Sequence, residues 1–324
     1  MGLKEFAVKR LIMSLITVFA IISVNFVIFR IAPGDPVRLL FHRPGADPER
    51  MMKVREEFGL DKPLWMQYII YLQQLFRGNL GYSFAQRAPV LDIIVSRIPA
   101  TLLLVGTAAV LATVLGTALG ALAGWKHETR VDLSILMFSL VTYATPTFCM
   151  GLILLIFFAF KFRIFPLGGI STPASGLTGF ALWMDILWHM FLPLVSMIFW
   201  YLGEYVLITR SSMLDVLSQD YITTARAKGL REFAILKNHA LRNALLPVLT
   251  VTGINLGFVV AGAIEVETVF SWRGVGKLVY DSVMNLDYPV LQGAFLILTI
   301  SVVLANLAVD LIYAFVDPRV KVGR

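Results

Sequence analysis

Long apolar runs separated by shorter polar connections dominate the chain. A membrane-crossing helix takes about 20 apolar residues, enough for roughly 30 Å of hydrocarbon. Six runs approach that length: residues 11–29, 102–125, 133–160, 193–208, 247–270 and 291–315. The first follows Lys4, Lys9 and Arg10, exceeds the usual h-region of a signal peptide and lacks an A-x-A-like cleavage site, so it reads as a retained helix. The second is rich in Ala and Gly, as closely packed membrane helices tend to be. Pro146 is expected to kink the third. The pattern predicts an all-α integral membrane protein with six spans.

The connections carry shorter elements. "APGDPV" (residues 32–37) is turn-forming. "PLWMQYIIYLQQLF" (63–76) is apolar but too short and too Gln-dotted to span, which predicts a helix on the membrane surface or packed over the bundle. "GNLGYSF" (78–84) reads as a turn before a second amphipathic element, "VLDIIVSRI" (90–98). Loops of this length are usually functional; contact with an external partner and a passive cap over the pore are both open.

Between the fourth and fifth runs stands "TTARAKGLREFAILKNHALRNALLP" (223–247), with Arg226, Lys228, Arg231, Lys237 and Arg242 against the single acid Glu232. Phe233, Leu236, Ala240, Leu241, Ala244 and Leu245 recur at three- and four-residue spacing, an apolar stripe with the polar residues mostly elsewhere. Gly229 can turn the chain without a Cβ penalty, and Pro247 can start a helix because a first-turn proline loses no helical hydrogen bond. The expectation is a short helix, a bend at Gly229, a second amphipathic helix, then a span.

Composition agrees with the bilayer. The 324 residues are 58% hydrophobic and 15% charged, with mean hydropathy +0.77, whereas soluble domains carry about 25% charged residues. A formal charge of +7 raises nucleic-acid binding, but Lys and Arg kept in cytoplasmic loops explain it in a membrane protein. Lys4, Lys9 and Arg10, the six basic residues of loop 210–246, and Arg319, Lys321 and Arg324 then share one side. This places both termini in the cytoplasm. The resulting division is 1–29 for the N-terminus and first helix, 30–100 for an external loop, and 101–324 for the core with loop 210–246.

Chemistry is sparse. Cys149 stands alone in an apolar run, so no intrachain disulfide framework exists. His42, His127, His189 and His239 show no paired spacing for zinc. Within or beside the spans lie Glu204, Glu265, Glu267, Asp310 and the neutral Asn255. Such groups usually face the protein interior or an aqueous path. Glu204 and Asn255, with Glu265 and Glu267, are candidates for a translocation path. The alternatives are helix pairing for Glu204, a solvated rim for Glu265 and Glu267, and snorkelling or a loop ion pair for Asp310. No G-x-x-x-x-G-K-[ST] loop, H-E-x-x-H or G-x-S-x-G occurs.

The basic segment fits either a helix lying on anionic lipid or a docking element for a cytoplasmic partner. Its order of residues resembles the cytoplasmic-loop signature of ABC importer permeases: E-A-A, three residues, G, nine residues, I, one residue, L-P. Ala225, Gly229 and Leu246-Pro247 match; Thr223 and Thr224 replace the Glu and first Ala, and Ala244 the Ile. "DYITTARAKGL" (220–230) is similar to the form of this loop in the dipeptide, oligopeptide and nickel branch. In that branch's order also stand "RIAPGDPV" (30–37), "GLDKPLWMQY" (59–68), "GNLGYSF", "RIPATLLL" (97–104), "ATPTFCMGLIL" (144–154), "RSSMLDVLSQDY" (210–221), "VETVFSW" (266–272), "DYPVLQG" (287–293) and "DPR" (317–319). Arg273 departs from it, where the branch usually has Pro.

The resemblance implies a type I importer permease subunit with six membrane helices and no cofactor of its own. It would be joined by a second related permease, two cytoplasmic ATPases holding ATP and Mg, and an external solute-binding protein. Residues 221–236 would then couple to an ATPase. Tyr221, Leu230, Phe233 and Leu236 belong to that element, Ala225 and Ala227 keep the contact close, Gly229 sets the bend, and Arg226, Lys228 and Arg231 meet acids on the partner. The cargo would be short peptides, with oligosaccharide or nickel as alternatives. An ion-coupled transporter would call for inverted repeats with broken helices, and a membrane enzyme for a catalytic constellation; neither pattern is visible.

Overall fold

The computed structural model describes residues 3–31, 62–83, 85–259 and 263–316. The expected turn at 32–37, the "DPR" segment and the basic residues after it lie outside the described residues. Apart from a hairpin of two-residue strands, β1 (Tyr82–Ser83) and β2 (Ala88–Pro89), the regular elements described are helical. The chain divides into two units, residues 1–99 with 274–324 and residues 100–273.

In the first unit, α1 (Leu3–Ile31) runs beside a long C-terminal helix, Tyr288–Val316. The Asn25 amide donates to the Gln292 carbonyl (3.3 Å), the Phe29 and Phe295 rings meet, and Arg10 pairs with Asp310 at 2.9 Å. Asp310 is therefore matched by a cation on another helix. The second helix, α2 (Leu64–Phe76), packs on α1: Phe26 contacts the rings of Tyr68 and Tyr71, and Ser23 shares a hydrogen bond with the Tyr68 hydroxyl. Leu64, Trp65 and Phe76 of the same helix stay exposed.

Residues 90–98 are not a separate amphipathic element. They are the first turns of α3 (Val90–Trp125), a helix of 36 residues that carries Pro99 and a π-helical turn at Leu102–Gly106. Polar Asp92, Ser96 and Arg97 break the apolar run there without breaking the helix.

The second unit contains the rest of α3, α4 (Arg130–Ala144), α5 (Thr147–Lys161), α6 (Gly179–Leu217), α7 (Asp220–Ala227), α8 (residues 232–258) and α9 (Ile264–Val269). The first unit is completed by α10 (Val275–Met284) and α11 (Tyr288–Val316). At the centre of the second unit is α6, which packs against α3, α4, α5 and α8. It has 39 residues and holds Pro193 inside it, so the expected span 193–208 is only its middle. Asp185 and His189 interrupt the apolar run before Pro193. Asp185 accepts from the Thr172 amide (2.6 Å) and hydroxyl (2.8 Å) of the preceding loop.

Pro146 breaks its span instead of kinking it: α4 and α5 meet at 98°. Thr145, pushed out of the α region by the following proline, is extended at ψ 121°. The run 247–270 is also divided, into a helix that starts well before Pro247 and ends at Phe258, and the short α9. Among the described residues, four helices are long and apolar enough to cross a membrane, or five with the bent pair as one span.

An ion pair fixes the α3–α4 connection to α6. Thr129 caps α4, its hydroxyl accepting from the Asp132 amide. The Asp132 carboxylate then accepts Arg210 Nε (2.6 Å) and Nη2 (2.9 Å) from α6, and lies 3.1 Å from His127 Nδ1. Asp132 is 5% exposed and Arg210 18%. Removing one partner of a buried pair strands the other charge and costs about 3 kcal/mol. Asp132→Ala should therefore lower the thermal stability of the detergent-purified chain. The double variant with Arg210→Ala should lose less than the sum of the two single losses; additive losses would show that the pair contributes nothing.

Candidate coupling surface

The basic segment folds as a small unit on the ends of α3 and α6. Ile222 and Ala225 of α7 are buried with Met213 of α6 and Ile235, Ala240 and Ala244 of α8, and Ala121, Trp125, Val216 and Leu217 pack around them. Asn243 of α8 donates to the Tyr221 hydroxyl at 2.9 Å, a second tie between the arms of the bend.

The bend at Gly229 is present and is a Schellman turn. Leu230 N donates to the Ala225 carbonyl (3.3 Å) and Gly229 N to the Arg226 carbonyl (2.9 Å), while Gly229 takes φ +77°. Glycine suits that position because an L side chain at positive φ is strained. Among the described residues, and apart from its two chain neighbours, no atom lies within 4 Å of a Cβ built at Gly229, so the tip of the turn is open.

The surface around that tip is exposed. Tyr221, Arg226, Ala227, Lys228, Leu230, Arg231 and Phe233 all reach it, Phe233 with 72% of its surface free. Three expectations need correction. Ala225 does not face outward, because it is buried in the segment's own core. Arg226 is met within the chain by Glu232, at 3.1 Å, so that of the three cations expected to meet a partner Lys228 and Arg231 stay without an acid among the described residues. Pro247 lies inside α8, exposed, and does not start the helix.

The stripe read from three- and four-residue spacing was also displaced. A π-helical turn at Leu236–Leu241 inserts one residue into the helical frame. The buried positions become Ile235, Ala240, Ala244 and Val248, with Leu236 partly covered, and Phe233 falls outside. Residues 230–243 separate Gly229 from Ala244, a longer insert than the signature has, so the match is at the segment's ends.

The four candidates for a path divide. Glu204 of α6 and Asn255 of α8 come together, with Asn255 Nδ2 donating to Glu204 Oε2 at 3.0 Å and lying 3.4 Å from the Tyr205 hydroxyl. Glu265 is exposed and accepts from the Thr147 hydroxyl at 2.7 Å. Glu267, for which a path and a solvated rim were both open, is fully buried and accepts from Thr101 at 2.8 Å. Beside it the Trp272 indole donates to the Ala100 carbonyl. The Asp132–Arg210 tie escaped the sequence reading, although Thr129 followed three residues later by Asp132 is a helix-start pattern. Among the described residues, no group of three or more His, Cys, Asp or Glu is arranged to hold a metal ion.

Residues 116–322 match the family model "Binding-protein-dependent transport system inner membrane component", and residues 3–105 match "Binding-prot-dependent transport system membrane comp, N-term". The dipeptide transport system permease protein DppB of Escherichia coli (strain K12) is 38% identical over 334 residues, covering 98% of each chain. The oligopeptide transport system permease protein AppB of Bacillus subtilis (strain 168) is 36% identical over 317 residues, 98% of this chain and 99% of its own. The di/tripeptide transport system permease protein DppB of Pseudomonas aeruginosa (strain UCBPP-PA14) is 36% identical over 331 residues, 98% of each. With a family model over most of its length and end-to-end relatives at this identity, the chain belongs to the binding-protein-dependent transport system inner membrane components.

Proposed function

We propose that this chain is a membrane-spanning permease subunit of an ATP-driven importer of short peptides, with residues 221–236 as its coupling element. The names of the three relatives support the cargo class. The observation that carries the coupling role is a preformed, open glycine turn, flanked by exposed cations and an exposed aromatic, standing on the joined ends of two membrane helices. An element laid flat on lipid would need its apolar stripe outward. Here most of that stripe is spent on an internal core.

In this reading a second related permease completes the path, and two cytoplasmic ATPases bind ATP and Mg and hydrolyse the nucleotide. An external solute-binding protein delivers cargo to the loop of residues 30–100. Both termini and the coupling surface face the cytoplasm, where the positive residues cluster. The chain contributes no nucleotide site of its own.

Gly229 provides the sharpest test. Gly229→Asn and Gly229→Leu add bulk where the isolated chain has room, and Asn tolerates positive φ far better than Leu. Both should abolish co-purification of the ATPases and peptide uptake, with membrane insertion intact. Retention by Asn with loss by Leu would reduce Gly229 to a backbone requirement, and normal uptake in both would sink the coupling role. Charge reversal at Lys228 and Arg231 should weaken ATPase association about tenfold or more, more steeply at low salt. Unchanged association with reduced binding to anionic vesicles would favour the lipid-surface role.

A further inference from the structure

Glu204 differs from two other acids of the long helices. Asp132 is matched by Arg210 and Asp310 by Arg10. Among the described residues, no Lys or Arg pairs with Glu204, whose hydrogen-bond partner is the neutral Asn255 amide on one oxygen. It does not sit on the outer rim of the bundle: no residue of α6 from 192 to 210 is exposed, and Glu204 itself is partly buried between α6 and α8. A carboxylate within an apolar helix is costly and usually faces the protein interior or an aqueous path. Its other oxygen is left open to a donor from outside the described residues.

Aromatic residues stand near Glu204 on α6, Tyr201 and Tyr205 both buried. Tyr201 stands one turn earlier on α6 and Tyr205 is the next residue, its hydroxyl near the same Asn255 amide. Trp200 packs edge-on to Tyr201 and lies parallel to Tyr143. Aromatic faces next to a carboxylate stabilise organic cations by adding cation–π attraction to the ion pair. The Asn255 donor holds one oxygen in place, which orients the other without neutralising it.

We infer that Glu204, positioned by Asn255, is a transit site for the α-ammonium group of the peptide cargo. The inference rests on the peptide-import reading. Every peptide with a free N-terminus carries that group whatever its side chains, so one carboxylate serves many sequences. A single hydrogen-bonded charge is also weak enough to release the cargo, as passage requires.

The test uses the assembled importer in proteoliposomes, with dialanine as the probe. Glu204→Gln keeps the shape and an acceptor for Asn255 but removes the charge, and Glu204→Asp keeps the charge. Glu204→Gln should lower dialanine import about tenfold, with subunit co-purification unchanged, and Glu204→Asp should retain more import than Gln. Unchanged import in Glu204→Gln overturns the inference. So does a loss that comes with loss of the partner permease from the purified complex, which would make Glu204 a subunit contact. Failure of the wild-type complex to import dialanine overturns the peptide reading itself, and the inference with it.

Discussion

Three glycines let the backbone of α3 lie directly against α6. A Cβ on Gly116 would stand 2.5 Å from that of Tyr205, on Gly120 2.6 Å from the Val206 carbonyl oxygen, and on Gly124 2.5 Å from the Cβ of Met213. Spaced by four, they form one face of the helix. Lipid tails are as apolar as leucine, so the hydrophobic effect does not draw these helices together; close backbone contact and the dispersion it brings do. The contact continues to the end of α3. It sets Ala121 and Trp125 beside Met213, and these residues are the floor on which Ile222 and Ala225 of the basic segment rest. The exposed turn thus inherits its position from an interaction buried well above it.

Charge is distributed around that contact by a simple rule: where water is scarce, an ion is matched or it is used. Asp132, in the first turn of α4, and Arg210 of α6 meet beside the end of that contact, with two short hydrogen bonds compensating the desolvation of both groups. Arg226 and Glu232, more exposed than the buried pair, add little stability, because solvent screens them. They do consume one of the cations the segment offers. Glu204 is met by the neutral Asn255 amide and by no cation among the described residues, and that is what separates a candidate for transport chemistry from a structural ion.

What was legible in the sequence was local or periodic. Gly229 could be read because a left-handed turn between two helical patterns calls for glycine whatever surrounds it. The misreadings were of two other kinds. Prolines at 146, 193 and 247 look alike in sequence but break, sit within, and sit within a helix respectively, because neighbouring helices decide whether the freed backbone is re-satisfied. Phe233 was assigned to the buried stripe by a regular α-helical count, which a π-helical turn offsets by one residue. Glu267 is the harder case: nothing near it in sequence announces Thr101, 166 positions away, as a hydrogen-bond partner of its buried carboxylate.

The internal core of the basic segment bears on how motion would pass through it. Ile222 and Ala225 hold α7 to α3 and α6 at once, and Asn243 ties its first turn to α8. The Schellman hydrogen bonds fix the tip without help from a partner. An ATPase meeting this surface would lose little affinity to ordering it. A displacement of the turn could not be absorbed by bending at Gly229 without breaking those bonds, so it would be passed to the helices whose ends form the floor. Close packing transmits displacement as rigid-body motion, and the helix that receives it, α6, is the one that carries Glu204.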